Sequence, residues 1–66
     1  MNIMLNGESH KTQTGETLSN LVKKLHSSKQ RIVVLLNDDM IPMNKQTAHI
    51  LKEGDRVEIL TFAGGG

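Results

Sequence analysis

The apolar residues of this chain change their spacing from segment to segment, and each spacing predicts a different element. Ile3 and Leu5 alternate with Asn2, Met4 and Asn6, the period of a strand with one buried face. Asn6-Gly7 follows, the strongest two-residue hairpin signal, because both central positions of such a turn take positive φ. The returning strand, Ser9 to Gln13, is almost wholly polar and so suits a sheet edge. After the turn Thr14-Gly15-Glu16, Thr17 is a good helix N-cap. Leu18, Leu21, Val22 and Leu25 then fall at i, i+3, i+4 and i+7, the stripe of an amphipathic helix. That stripe lapses at His26-Ser27-Ser28, with Lys23, Lys24 and His26 placed favourably against the carboxyl-terminal dipole.

Ile32 to Leu36 is an unbroken apolar run rich in β-branched residues, which predicts a central strand buried on both faces or nearly so. Asn37-Asp38-Asp39 ends it with turn chemistry, and Met40-Ile41 forms a short strand stopped by Pro42. Residues 43–51 have no deciding period; they read as a helical turn and then a short strand through Ile50. Glu53-Gly54-Asp55 is a tight turn into a last strand, Arg56 to Phe62. One helix with one apolar stripe covers one face of a sheet, so the class is α+β: a mixed four- to five-stranded sheet with one main helix.

Sixty-six residues make a single domain with a thin core and little room for a walled active site. Residues 1–62 are read as the domain and 63–66 as a flexible glycine tail. Cysteine is absent, which removes disulfides, thiolate metal sites and any thiol that could carry sulfur. Eight basic against seven acidic residues and a single aromatic side chain argue against nucleic acid as a partner. The amino end lacks the pattern of a signal peptide, and no apolar run is long enough to span a membrane. A soluble, cytoplasmic chain is expected. His10, His26 and His49 have no ligand spacing, Asp38-Asp39 lacks the further oxygens of a calcium loop, and Gly15-Glu16-Thr17 lacks the Gly-Lys-Ser/Thr ending of a phosphate loop.

Several points in order carry a resemblance: the Asn6-Gly7 hairpin, Gly15-Glu16-Thr17-Leu18 opening the helix, Leu36-Asn37 followed by Ile41-Pro42, Glu53-Gly54-Asp55, and the ending Phe62-Ala63-Gly64-Gly65-Gly66. Together they make the chain similar, over essentially its whole length, to the ThiS family of ubiquitin-like, β-grasp sulfur carriers. The resemblance implies a carrier rather than an enzyme, with no catalytic residue and no bound cofactor of its own. An E1-like adenylyltransferase would adenylate Gly66 with ATP, and a sulfur donor such as a cysteine desulfurase would convert it to a thiocarboxylate. A thiazole synthase would take the sulfur for thiamine biosynthesis. Gly65-Gly66 match the family's terminal pair; the third glycine, Gly64, is a departure that lengthens it.

The residues themselves fit such a terminus. An α-carboxyl group with a pKa of about 3.5 is a carboxylate at neutral pH, no acyl electrophile until something else activates it. Ala63 to Gly66 can reach roughly 13 Å when extended, and Gly64 and Gly65 have no Cβ to obstruct threading into a partner. Alternation places Val57, Ile59 and Thr61 on one face of the last strand and Arg56, Glu58, Leu60 and Phe62 on the other. If the first set faces the helix, Leu60 and Phe62 form an exposed docking patch, extended by Val33 or Leu35. Cover by the loop from Met43 to Ala48 would instead make them a second layer of core, and the sequence leaves both open. Rival functions are also open: the small subunit of molybdopterin synthase, against which the short hairpin argues, a modifier conjugated to lysines, or a β-grasp interaction module with an inert tail.

Overall fold

A computed structural model describes residues 1–26 and 31–62 of the chain. The expected tail, with Gly64, Gly65 and Gly66, lies outside the described residues. Strands β1 (Asn2–Leu5) and β2 (Glu8–Lys11) form the first hairpin, followed by helix α1 (Leu18–Leu25), β3 (Arg31–Leu36), β4 (Asp39–Met40), the single turn α2 (Met43–Gln46) and β5 (Arg56–Phe62). The five strands make one mixed sheet in the order β2-β1-β5-β3-β4. β1 runs parallel to β5, and the other pairings are antiparallel.

The hairpin forms where Asn6 and Gly7 take φ of 49° and 83°, the left-handed pair that a two-residue turn requires. The polar second strand is the sheet edge, as its composition predicts, though it spans Glu8–Lys11 instead of starting at Ser9. Thr17 caps α1 by accepting the Asn20 amide at 3.1 Å. Leu18, Leu21 and Val22 are buried by the helix stripe, but Leu25 at its end is 40% exposed.

β3 lies inside the sheet as expected, between β5 and β4. Three other expectations need correction. β3 is covered on one face only: Val34 and Leu36 are buried, whereas Val33 and Leu35 on the other face are half-buried. β4 begins at Asp39, one residue early, because Asn37 and Asp38 adopt φ of 50° and 75° and complete the turn by themselves. Ile50 makes a single bridge to Thr17 and belongs to no strand.

The core is one layer: Ile3, Leu18, Leu21, Val22, Val34, Leu36, Leu51, Val57 and Ile59. Cross-strand register stacks Val57 against Leu36 and Leu5, and Ile59 against Val34. Thr61, expected on this side, is exposed, because the apolar cover ends at Ile59. Buried Gln46 donates to the Ile41 carbonyl at 3.0 Å and ties α2 to the chain entering it.

Glu16, 7% exposed, is the ionisable group that this layer encloses most. Its carboxylate accepts from Lys24 Nζ at 2.6 Å and from Thr12 Oγ1 at 3.4 Å. The hydrogen bond from Lys24 is the main cause that holds its pKa below the usual carboxylate value; burial opposes this, and the Lys24 charge adds to it. The pair braces the turn before α1 against the last turn of the same helix.

Two outcomes follow from this packing. Leu18→Ala removes a side chain with no exposed area and should cost about 2–5 kcal/mol in urea denaturation. A depressed folded-state pKa stabilises above the unfolded value and loses that contribution as pH falls through the folded value. Glu16→Gln should therefore lower the thermal midpoint at neutral pH, and its melting curve should converge with that of the wild type in acid.

Candidate functional site

Among the described residues, the side of the sheet opposite α1 has no second layer. Period-two geometry sends Leu60 and Phe62 of β5 to this side, where they are 46% and 49% exposed. They are surface residues, and the described residues of the loop from Met43 to Ala48 do not cover them as a second layer of core. On β3, Val33 lies in register with Leu60, Leu35 with Glu58, and Arg31 with Phe62. On β4, Met40 lies in register with Leu35.

Opposed residues on one face of a sheet have Cβ atoms about 4.5–5.5 Å apart. Phe62, Leu60, Val33, Leu35 and Met40 thus form one continuous apolar strip. Arg31 flanks it at the Phe62 end and Glu58 beside Leu35. Three of the predicted site residues, Leu35, Leu60 and Phe62, are brought together on this strip, with Leu35 less exposed because it sits between Glu58 and Met40. Gly64, Gly65 and Gly66 cannot be placed relative to them, lying outside the described residues. Phe62, which ends the strip, is four residues from Gly66 in sequence.

Two asparagines fix β5, and neither role is visible in the sequence beyond turn propensity. Asn6 donates its backbone amide to the Val57 carbonyl at 2.9 Å, and its side-chain oxygen accepts the Ile59 amide at 2.8 Å. It thereby prolongs the β1–β5 ladder past its last pair, Leu5 and Val57. On the β3 side, the Asn37 amide donates to the Arg56 carbonyl at 2.8 Å, and its Oδ1 accepts the Arg56 amide at 2.9 Å. Asn37 Nδ2 also donates to Asp55 at 3.0 Å. The sequence signal for them is asparagine at the head of the turns Asn6-Gly7 and Asn37-Asp38, where both take a left-handed φ, 49° and 50°, and where asparagine side chains bond to nearby backbone.

Charge contributes little here. Arg56 and Asp38 pair at 2.8 Å, but both side chains are more than half exposed, so the contact is screened and weak. Among the described residues, no group of three or more histidine, cysteine, aspartate or glutamate side chains is arranged to hold a metal ion, and no helix is long and apolar enough to cross a membrane.

Comparison with known proteins adds three findings. The model of the ThiS family matches residues 3–66. A thiazole synthase of Magnetococcus marinus is 35% identical over all 66 residues, and this chain spans only 20% of its length; the sulfur carrier protein ThiS of Escherichia coli is 23% identical with both chains fully covered. The crystal structure of the thiamine biosynthesis protein ThiS from Geobacter metallireducens superposes over both full chains with a TM-score of 0.82 at 28% identity.

Substitutions should separate support from surface. Asn6→Ala loses the Ile59 partner and puts a Cβ-bearing residue without a polar side chain at positive φ, so unfolding free energy should fall by about 2 kcal/mol. Leu60→Glu should change it by no more than about 0.5 kcal/mol. Urea denaturation of the two variants checks both.

Proposed function

Because the chain belongs to the ThiS family, with its β-grasp fold, we propose that it is a sulfur carrier of thiamine biosynthesis whose cargo is held as a thiocarboxylate at Gly66. The observation that carries this reading is that the family match runs through the terminal glycines to residue 66. The terminal carboxylate attacks the α-phosphorus of ATP, forming an acyl adenylate and releasing pyrophosphate. The outer sulfur of a persulfide on a donor such as a cysteine desulfurase then displaces AMP to form an acyl disulfide, and a thiol cleaves its S–S bond, leaving the thiocarboxylate and a disulfide between the thiol and the donor. The carrier supplies no catalytic group to these steps; ATP is bound and used by an E1-like adenylyltransferase.

Leu60 and Phe62, with Leu35 beside them, form the docking patch, and Gly64 and Gly65 thread the terminus into the partner. The patch is apolar, exposed and continuous with the strand that leads to the tail, which is where a partner would need to hold the domain. A thiazole synthase is the acceptor. Support comes from the Magnetococcus marinus thiazole synthase, in which a segment similar to this whole chain makes up a fifth of the protein.

Incubating the full chain with ATP, an E1-like adenylyltransferase, a cysteine desulfurase and cysteine should raise its intact mass by the exchange of one oxygen for one sulfur at Gly66. An unchanged mass would overturn the carrier reading, and lysine conjugates in its place would assign the tail to protein modification. Leu60→Glu should slow loading at least about tenfold through weaker docking.

A further inference from the structure

Met40 and Met43 are the two most exposed large apolar side chains among the described residues, at 64% and 72%, yet they lie in different layers. Met40 is on β4 in register with Leu35 and closes the outer apolar strip at the edge of the sheet. Met43 opens α2, which packs beside α1 on the covered side. A thioether this exposed is open to small oxidants, and oxidation turns a flexible apolar side chain into a polar one. Methionine otherwise suits a recognition surface, because its unbranched chain adapts to the shape of a partner.

We propose that Met40 is an oxidation-sensitive site of the docking face, and that its conversion to the sulfoxide by hydrogen peroxide weakens partner binding. This rests on the docking role given above to Leu60, Phe62 and Leu35. A sulfur lone pair attacks one peroxide oxygen; the S–O bond forms as the O–O bond breaks, and the departing hydroxide takes up the remaining proton as water. Sulfur loses two electrons and the peroxide gains them. The residues that register sets across from Met40 offer the new oxygen no donor: the Leu35 side chain is apolar, and Glu58 beyond it has only acceptors while ionised. Burial against a partner would then strip water from an unpaired acceptor. The fold is spared, since Met40 stands outside the buried cluster.

In the test, the full chain is treated with hydrogen peroxide and oxygen addition is mapped by tandem mass spectrometry. Affinity for an E1-like adenylyltransferase is measured calorimetrically before and after treatment. Both Met40 and Met43 should take up oxygen ahead of the half-buried Met1, and docking should weaken roughly tenfold, with recovery after a methionine sulfoxide reductase. Met43→Leu should lose the same factor as the wild type, whereas Met40→Leu should bind equally before and after peroxide. A wild-type chain that is fully oxidised at Met40 yet binds as before would overturn the proposal. So would a Met40→Leu chain that weakens like the wild type, or a fall in thermal midpoint large enough to account for the lost binding. Leu60→Glu without peroxide keeps the two readings apart: wild-type affinity there removes the docking face and this proposal with it, while weak binding beside an inert Met40 sulfoxide removes the proposal alone.

Discussion

Strand β5 has a neighbour on each side, β1 in parallel and β3 antiparallel, and its two faces are given to different tasks. Val57 and Ile59 point into the buried apolar layer, while Leu60 and Phe62 point out of it. The side-chain period of a strand is two residues, so a slip of one residue would exchange these sets. It would put Arg56 and Glu58 into the core and strand the valine and isoleucine in water. Burial of Val57 and Ile59 therefore fixes the outward direction of Leu60 and Phe62 as firmly as it fixes the fold.

Holding that register in a chain of 66 residues demands more than apolar area, because small domains bury a small share of their surface. The polar supports lie where the layer is weakest. Asn6 and Asn37 hold β5 from opposite sides near its start, where the turns would otherwise leave amides of Ile59 and Arg56 without these partners. Glu16 and Lys24 close the turn ahead of the helix onto the helix itself. Each support joins segments far apart in sequence or spans a turn, so it resists the slippage that a thin core alone would tolerate.

The elements were legible where one local rule decided them. The Leu18, Leu21, Val22 stripe, the Asn6-Gly7 turn and the polar edge strand state their structure in a few residues. What was hidden depended on neighbours that no local pattern names. The run Ile32 to Leu36 announces an interior strand, and β3 does lie between β5 and β4, but its apolar composition does not say that only one of its faces is covered. Leu25 continues the helix period but lies beyond the sheet's cover. For the site, alternation put Leu60 and Phe62 on one face but could not tell whether residues 43–48 returned to cover them; that needed the position of α2 beside α1. The strand-fixing roles of Asn6 and Asn37 were lost behind turn propensities, which describe the same residues for a different reason.

A carrier of the proposed kind meets a physical difficulty that the outer strip addresses. Four tail residues offer a partner few contacts, and ordering them costs backbone entropy of about 1–2 kcal/mol each. Affinity gained from the tail alone would have to exceed that cost before any chemistry began. The proposed docking through Leu60, Phe62 and Leu35 would place the binding energy on a sheet whose strands are already held by pairing. The tail's entry is then an intramolecular event at high effective concentration. It also leaves the glycines free of any role in affinity, so the same short terminus can be accepted by an activating enzyme and by a sulfur acceptor with unrelated pockets, provided each presents an apolar surface to the same strip.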